Sequence, residues 1–148
     1  MLSKKSVVGR YTVEFCKVDN LADDIDVYLT WDKFKSKVVT TKNKTADFTN
    51  ESFEKNITAD KMKSILVLPT PTKIKVFQKN TDPKAKDMLI GAIVLDYTLF
   101  TGMKDRLFNF KIAINVNAIH HHHHLNSKNA SFFFFVHRRS VFCTQCCL

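Results

Sequence analysis

Apolar and polar residues alternate along most of the first 119 positions. In "RYTVEFCKV" (10–18) and "DVYLTWD" (26–32), every second residue is apolar. Successive side chains of a strand point to opposite faces, so this alternation predicts strands that each turn one face towards a core. Tyr11, Val13 and Phe15 would share the inward face of the first strand. Six more segments predict strands: "KFKSKVVTT", "ESFEKNI", "SILVLP", "KIKVFQ", "MLIGAIVLDY" and "RLFNFKIAINVNAI".

Eight short strand segments separated by polar turns are typical of an antiparallel sandwich. The chain has 148 residues, which suits one domain with a single core. We therefore predict an all-β fold, an eight-stranded antiparallel β-sandwich that occupies residues 1–119. Gly91 interrupts the most apolar segment, which indicates a β-bulge or a close backbone approach. Asp96 is expected to cap the turn that follows this segment.

The last 29 residues, 120–148, differ from the rest, because they contain five consecutive histidines and four consecutive phenylalanines. We predict that they form a low-complexity, irregular and disordered tail. Other interpretations stay open. The histidines, or His137 with the three cysteines, could hold a metal ion. The cysteines could carry lipid, the segment could be an artefact of gene prediction, and the chain could be a fragment of a longer protein. The three cysteines are Cys143, Cys146 and Cys147.

The charge balance favours an anionic partner. Twenty-three Lys and Arg residues face 14 Asp and Glu residues, a net charge of +9. A membrane surface, a nucleic acid or an acidic protein would be attracted to it. The four cysteines suggest no disulfide framework, and the N-terminus lacks the apolar core of a secretory signal, so we expect a cytoplasmic protein. No nucleophile elbow, phosphate-binding loop or carboxylate pair is present, and we expect a protein that is not an enzyme.

Three segments in order resemble the C2 domain, over about residues 8–117: "VYLTWDKFKSKVVTTKNKT", "ADFTNESFEKNI" and "MLIGAIVLDYTLF". The second resembles a common C2 element in which Asn50, Glu51 and Phe53 are kept and Thr49 replaces a Trp. The order is most similar to the N-terminal C2 subclass of endocytic and cytoskeletal scaffold proteins. The resemblance implies a β-sandwich that targets membranes or scaffold proteins.

Many C2 domains bind Ca²⁺ through carboxylates on two loops, since this ion needs six to eight oxygen ligands. The matching segments here are "ADDID" and "QKNTDPKAKDM". Asn80 and Met88 stand where calcium-binding relatives carry Asp, and three lysines in the second loop would repel a cation. We therefore predict calcium-independent binding and no cofactor. The weak calcium candidates are Asp23, Asp24, Asp26, Asp82 and Asp87.

C2 domains that bind phosphoinositides use a lysine cluster on one sheet, so the resemblance implies peripheral binding to anionic phospholipid. The predicted lipid-binding residues are Lys33, Lys35, Lys37, Lys73 and Lys75. One alternative is a protein-interaction module that binds no lipid, such as a partner of a scaffold protein. A less favoured alternative is binding of single-stranded nucleic acid, with bases stacked on Tyr28, Trp31 and Phe34. A buried Trp31 would favour the C2 interpretation. Nothing in the sequence indicates an oligomeric state.

Overall fold

The computed structural model describes residues 5–60, 71–100, 105–114 and 129–139, which form two antiparallel sheets. Sheet I contains β1 (Lys5–Asp19), β5 (Thr45–Asp47), β6 (Ser52–Asp60), β9 (Arg106–Ala113) and β10 (Asn129–Arg139). Sheet II contains β2 (Asp26–Trp31), β3 (Phe34–Lys35), β4 (Val39–Thr40), β7 (Pro71–Gln78) and β8 (Met88–Asp96). A short 3-10 helix, Tyr97–Phe100, follows β8.

Each sheet is built around one long pairing. In sheet I, β1 pairs with β10 along one side and with β5 and β6 along the other, and β9 lies beyond β10. In sheet II, β2 pairs with β7 on one side and with β3 and β4 on the other, and β8 lies beyond β7. Strands β8 and β9 are therefore the outer strands of their sheets among the described residues.

The predicted all-β antiparallel sandwich is confirmed, and so are its inward faces. Tyr11, Val13 and Phe15 of β1 are buried. Val27, Leu29 and Trp31 of β2 are completely buried, as the alternation required. The number of strands differs, since the described residues form ten rather than eight. "KFKSKVVTT" is divided between β3 and β4, and "SILVLP" lies outside the described residues.

The prediction of an irregular tail is wrong for residues 129–139, which form β10 at the centre of sheet I. Residues 120–128 and 140–148 lie outside the described residues. The four phenylalanines hid the alternation, because an apolar residue on the outer face makes a strand look like a uniform apolar run. Phe132, Phe134 and Val136 point into the core, while Phe133 and Phe135 alternate with them and are half-buried.

The two sheets meet in an aromatic cluster around Trp31, which has no exposed surface. The rings of Phe134 of β10 and Phe53 of β6 contact it edge-on, with centroids at 5.2 and 4.9 Å. Tyr97, which belongs to the 3-10 helix, stacks on the Trp31 ring with a centroid distance of 6.0 Å. Aromatic pairs at such separations add to the stabilisation from burial alone. Residues distant in sequence thus fix how the sheets pack.

Two variants of β10 test its inward and outward faces. Phe134→Ala would leave a cavity beside Trp31 and is expected to lower the free energy of unfolding by ~3–5 kcal/mol. Phe135→Ala, on the outer face of the same strand, is expected to cost roughly 1 kcal/mol. Urea unfolding followed by the fluorescence of Trp31 measures both. Equal costs for the two variants would contradict the position of β10 in the core.

At Gly91 the structure confirms the predicted β-bulge and also shows a close backbone approach. Val76 pairs with Gly91 and Phe77 with Leu89, so Ile90 is the extra residue of a bulge. A Cβ atom at Gly91 would collide with the Ile112 side chain and would lie 2.8 Å from the backbone oxygen of Ala113. The bulge therefore brings β8 of sheet II against β9 of sheet I. Asp96 ends β8 directly before the 3-10 helix, and its role as a cap stays a prediction.

Gly91→Ala tests this close approach by the sign of its effect. The backbone of Gly91 is not in the left-handed region, so alanine would ordinarily stabilise the chain by ~0.4–1 kcal/mol. Because the added methyl group meets Ile112 and the Ala113 backbone, we expect a loss of about 1–3 kcal/mol instead. Urea unfolding gives the sign, and a more stable variant would show that β8 and β9 do not approach closely.

Candidate functional site

The outer face of sheet II carries three lysines side by side. In β7, Ile74 and Val76 are buried, so Lys73 and Lys75 point away from the core. Thr30 of β2 pairs with Lys75 on one side and with Lys35 of β3 on the other. This register places all three lysines on one surface. We call it the lysine face, made up of Lys35, Lys73 and Lys75 with Tyr28, Thr30 and Phe77.

Two stacked aromatic rings form the floor of the lysine face. The Tyr28 and Phe77 rings lie parallel, with centroids 5.3 Å apart and an interplanar angle of 18°. The Lys35 ammonium lies 4.7 Å from the centroid of Tyr28, in cation–π geometry. Tyr28 is only 7% exposed, although its side chain is not part of the core. These rings hold Lys35 at the surface in a defined position.

The hydroxyl of Tyr28 is fixed by an acid at the end of the face. It donates a hydrogen bond to Asp87, which also accepts one from the backbone N–H of Asn80 at 2.8 Å. Burial and this hydrogen bond raise the pKa of Tyr28 to about 12. The Tyr28 and Asn80 hydrogen bonds, with Lys79 and Lys35 nearby, lower the pKa of Asp87. The carboxylate of Asp87 is therefore occupied within the protein.

The cations of the lysine face are not held in ion pairs with described residues. Across the described ranges, no carboxylate forms an ion pair with Lys35, Lys73 or Lys75. Asp87 offsets part of the charge of Lys35, but three cations on one face still produce a positive potential, which attracts anions. Next to them, a depression of about 460 Å³ is lined by Tyr28, Phe77 and the β7–β8 connection. Lys79 and Lys86 of that connection also border the depression.

Two of the five predicted lysines, Lys33 and Lys37, lie outside the strands that form this face. Lys33 lies in the turn between β2 and β3, next to Asp32, whose φ of 52° is left-handed. Lys37 lies beyond β3, and its backbone N–H donates to Glu51. Strand β3 holds only Phe34 and Lys35, so the prediction of one strand through "KFKSKVVTT" is wrong, although Lys35 and Lys37 are both exposed with the buried Ser36 between them.

The reason is Ser36, which ends the strand. Its hydroxyl accepts a hydrogen bond from the backbone N–H of Leu29 at 2.8 Å and donates one to the carbonyl of Lys37 at 2.9 Å. A serine that satisfies backbone groups in this way replaces the regular ladder. Ser36 is also buried, so the polar residue between the lysines turns inward.

The two acidic loops that were compared with calcium-binding loops do lie at the same end of the sandwich. A hydrogen bond of 2.8 Å from the backbone N–H of Lys79 to the carbonyl of Asp26 joins the loop before β2 to the loop after β7. Their carboxylates, however, accept hydrogen bonds from the protein. Asp23 accepts from the Lys44 N–H, Asp26 from the Thr40 hydroxyl, and Asp82 from the Lys84 N–H. Asp24 occupies a turn with a φ of 57°, and Asp87 binds Tyr28 as described.

Among the residues that the structure describes, no three His, Cys, Asp or Glu side chains converge to hold a metal ion. His137, which the sequence offered as a zinc ligand, instead lies on the outer face of sheet I. Its Nε2 is 2.9 Å from Glu14 and its Nδ1 3.3 Å from Asp105. Cys143, Cys146, Cys147 and the histidine run lie outside the described residues.

The pKa of His137 is raised, chiefly by the hydrogen bond to Glu14 and further by Asp105. An unfolded histidine has a pKa of about 6.5, so protonation of His137 favours the folded state. Its contribution to stability is present below about pH 6.5 and disappears as the pH rises through the folded pKa.

We expect NMR titration to show a pKa for His137 above the ordinary histidine value, with the signal identified by its loss in His137→Gln. Glu14→Gln should lower this pKa more than Asp105→Asn, because the bond to Glu14 is the larger cause. A pKa that neither variant changes would contradict the two contacts.

Sequence reasoning missed Tyr28 and Phe77 as the floor of the lysine face. The alternation of "KIKVFQ" already places Phe77 on the same side as Lys73 and Lys75. Tyr28 could not be assigned from its own strand, because its neighbour across the sheet depends on the register between β2 and β7.

The lysine face lies on a sandwich with the fold of C2 domains. A C2 domain of plant Extended Synaptotagmin 1 is similar, with a TM-score of 0.55 and 15% identity over 90% of this chain and 96% of that one. A structure of two C2 domains of Extended-Synaptotagmin 2 gives 0.59 and 14%, over 93% of this chain and 43% of that one. Human GIVD cytosolic phospholipase A2 gives 0.62 and 12%, over 95% of this chain and 18% of that one.

No protein-family model and no curated protein sequence matches the chain. The chain corresponds to a small part of the phospholipase and to nearly all of the plant C2 domain. Membership of the N-terminal C2 subclass stays a prediction.

The burial of Trp31 removes the main residue of the nucleic-acid alternative. An indole with no exposed surface cannot stack on a base. Phe34 is half-buried and packs against the core.

Within the described ranges, no helix has the length and apolar character needed to cross a bilayer.

Proposed function

We propose that this protein is a non-enzymatic targeting module that binds anionic phospholipid peripherally through the lysine face, independently of calcium. The observation that carries the proposal is the set of three lysines on one face without ion-pair partners in the described part of the chain. A phosphate-bearing membrane surface supplies the missing counter-charges. Each lysine near such a surface contributes about 1 kcal/mol.

The size of this attraction suits reversible docking. Three lysines contribute roughly 3 kcal/mol, which is a factor of about 150 in affinity. The attraction is screened by salt, because the lysines are at the surface. The contact of Lys35 with the Tyr28 ring reduces the entropy that this side chain loses on binding.

Calcium independence is proposed from the loops. Asp23, Asp26, Asp82 and Asp87 each accept a hydrogen bond from a protein group. Among the described residues, no three of the acidic side chains converge on one point, whereas this ion needs six to eight oxygen ligands. One of the similar structures, Extended-Synaptotagmin 2, is described as calcium bound. Binding therefore has to be measured both with Ca²⁺ and with a chelator.

Co-sedimentation with phosphatidylcholine vesicles that contain phosphatidylserine or a phosphoinositide tests the proposal. Lys73→Gln/Lys75→Gln removes two charges from the lysine face and should weaken binding by ~2 kcal/mol, or about 30-fold. Binding should fall as salt increases and should be equal in Ca²⁺ and in chelator.

The matched control is Lys17→Gln/Lys111→Gln, which removes the same charge from sheet I, where Lys17 pairs with Asp19 and Lys111 donates to Ser131. It should weaken binding far less. Equal losses in the two double variants would mean that net charge, rather than the lysine face, drives binding. Vesicle binding unaffected by Lys73→Gln/Lys75→Gln would favour the alternative of a protein-interaction module.

A further inference from the structure

Strand β8, the outer strand of sheet II among the described residues, presents an apolar column directly beside the lysines. Its outward residues pair across the sheet with the lysine face, Val94 with Lys73 and Ala92 with Lys75. After the bulge, Leu89 pairs with Phe77. Val94 is 67% exposed and Leu89 is 36% exposed. Neighbouring strands are about 5 Å apart, so the apolar column and the cations form one continuous surface.

An exposed apolar column on an outer strand requires an explanation, because edge strands usually carry charges that prevent unwanted pairing. Val94 has the largest exposed fraction among the large hydrophobic residues in the described ranges. The lysine beside it has a long apolar stem and a charged end, which allows it to reach a headgroup while its stem lies against apolar surface. This combination matches the boundary between lipid headgroups and acyl chains.

The loops at the end of the sandwich lack such residues. Between β7 and β8, residues 79–87 read "KNTDPKAKD" and contain no large apolar side chain. In the β1–β2 connection, Ile25 is half-buried and packs against the core. A contact made by the loop tips at this end would therefore be chiefly polar, whereas a contact made by the face of sheet II would be both polar and apolar. Leu99, which is 50% exposed, lies in the 3-10 helix that follows the other end of β8.

We propose that β8 supplies the apolar part of the membrane contact, with Val94 and Leu89 entering the interfacial layer of an anionic bilayer. Lys73 and Lys75 contact the headgroups beside them, so sheet II lies flat on the membrane. This inference rests on the proposed function and adds the orientation of the docked protein. An anionic bilayer is the partner that fits this surface, because the lysines have no ion-pair partners among the described residues and lie next to the apolar column.

The first experiment locates the contact. Val94→Trp places an indole on β8, and Leu107→Trp places one on β9 in sheet I, where Leu107 is 53% exposed. Trp31 is the only natural tryptophan and is fully buried, so it provides a constant background. With the full chain on phosphatidylserine-containing vesicles, brominated lipid should quench Val94→Trp and leave Leu107→Trp unchanged.

The second experiment separates the apolar contribution from the charge. Val94→Thr keeps the shape and the strand preference but replaces a methyl group by a hydroxyl. It should weaken vesicle binding by about fivefold without changing the salt dependence. Leu107→Thr is the matched control and should bind as the unmodified chain does.

The outcomes distinguish this inference from the proposed function. If Lys73→Gln/Lys75→Gln abolishes binding while Val94→Trp is not quenched, the lysine face binds lipid and the inference about β8 is overturned. Quenching of Leu107→Trp instead would mean that sheet I docks, which overturns it as well. If Val94→Trp is quenched while the lysine variant binds normally, the proposed role of the lysines fails and the contact through β8 stands.

Discussion

The packing of β10 between β1 and β9 is the constraint on which the rest of the structure depends. Strand β10 pairs with both neighbours, so it is the element that makes sheet I continuous. Its inward Phe134 reaches the indole of Trp31 in β2, at the centre of sheet II. Trp31 in turn contacts Phe53 and Tyr97. The aromatic cluster thus holds the sheets face to face, and β2 and β7 carry the lysine face as a result.

The two outer faces of the sandwich have different chemistry, although each contains aromatic residues. On sheet II, the lysines next to Tyr28 and Phe77 have no acidic partners within the described chain, and the face stays positive. On sheet I, Lys17 pairs with Asp19 at 3.1 Å, and His137 lies between Glu14 and Asp105. Ion pairs therefore form on the outer face of sheet I, whereas the three lysines of sheet II form none within the described residues.

Several features of the fold were predictable because they depend on local periodicity. The inward faces of β1 and β2 follow directly from alternation, since the side-chain period of a strand is two. Gly91 marked a bulge for an equally local reason. In contrast, β10 was missed because phenylalanines on both faces remove the alternation. The division of "KFKSKVVTT" was missed because Ser36 makes backbone hydrogen bonds that depend on Leu29 of the preceding strand.

The sequence by itself determined the fold class, the positive charge and the shared face of Lys73 and Lys75. Lys73 and Lys75 share a face in any strand that contains them, because they are two residues apart. Only the tertiary structure decided that Lys35 joins them and that Val94 lies beside Lys73. Those neighbours come from the register of β2, β3, β7 and β8, which is fixed by turns and by the burial of Trp31 rather than by any one segment.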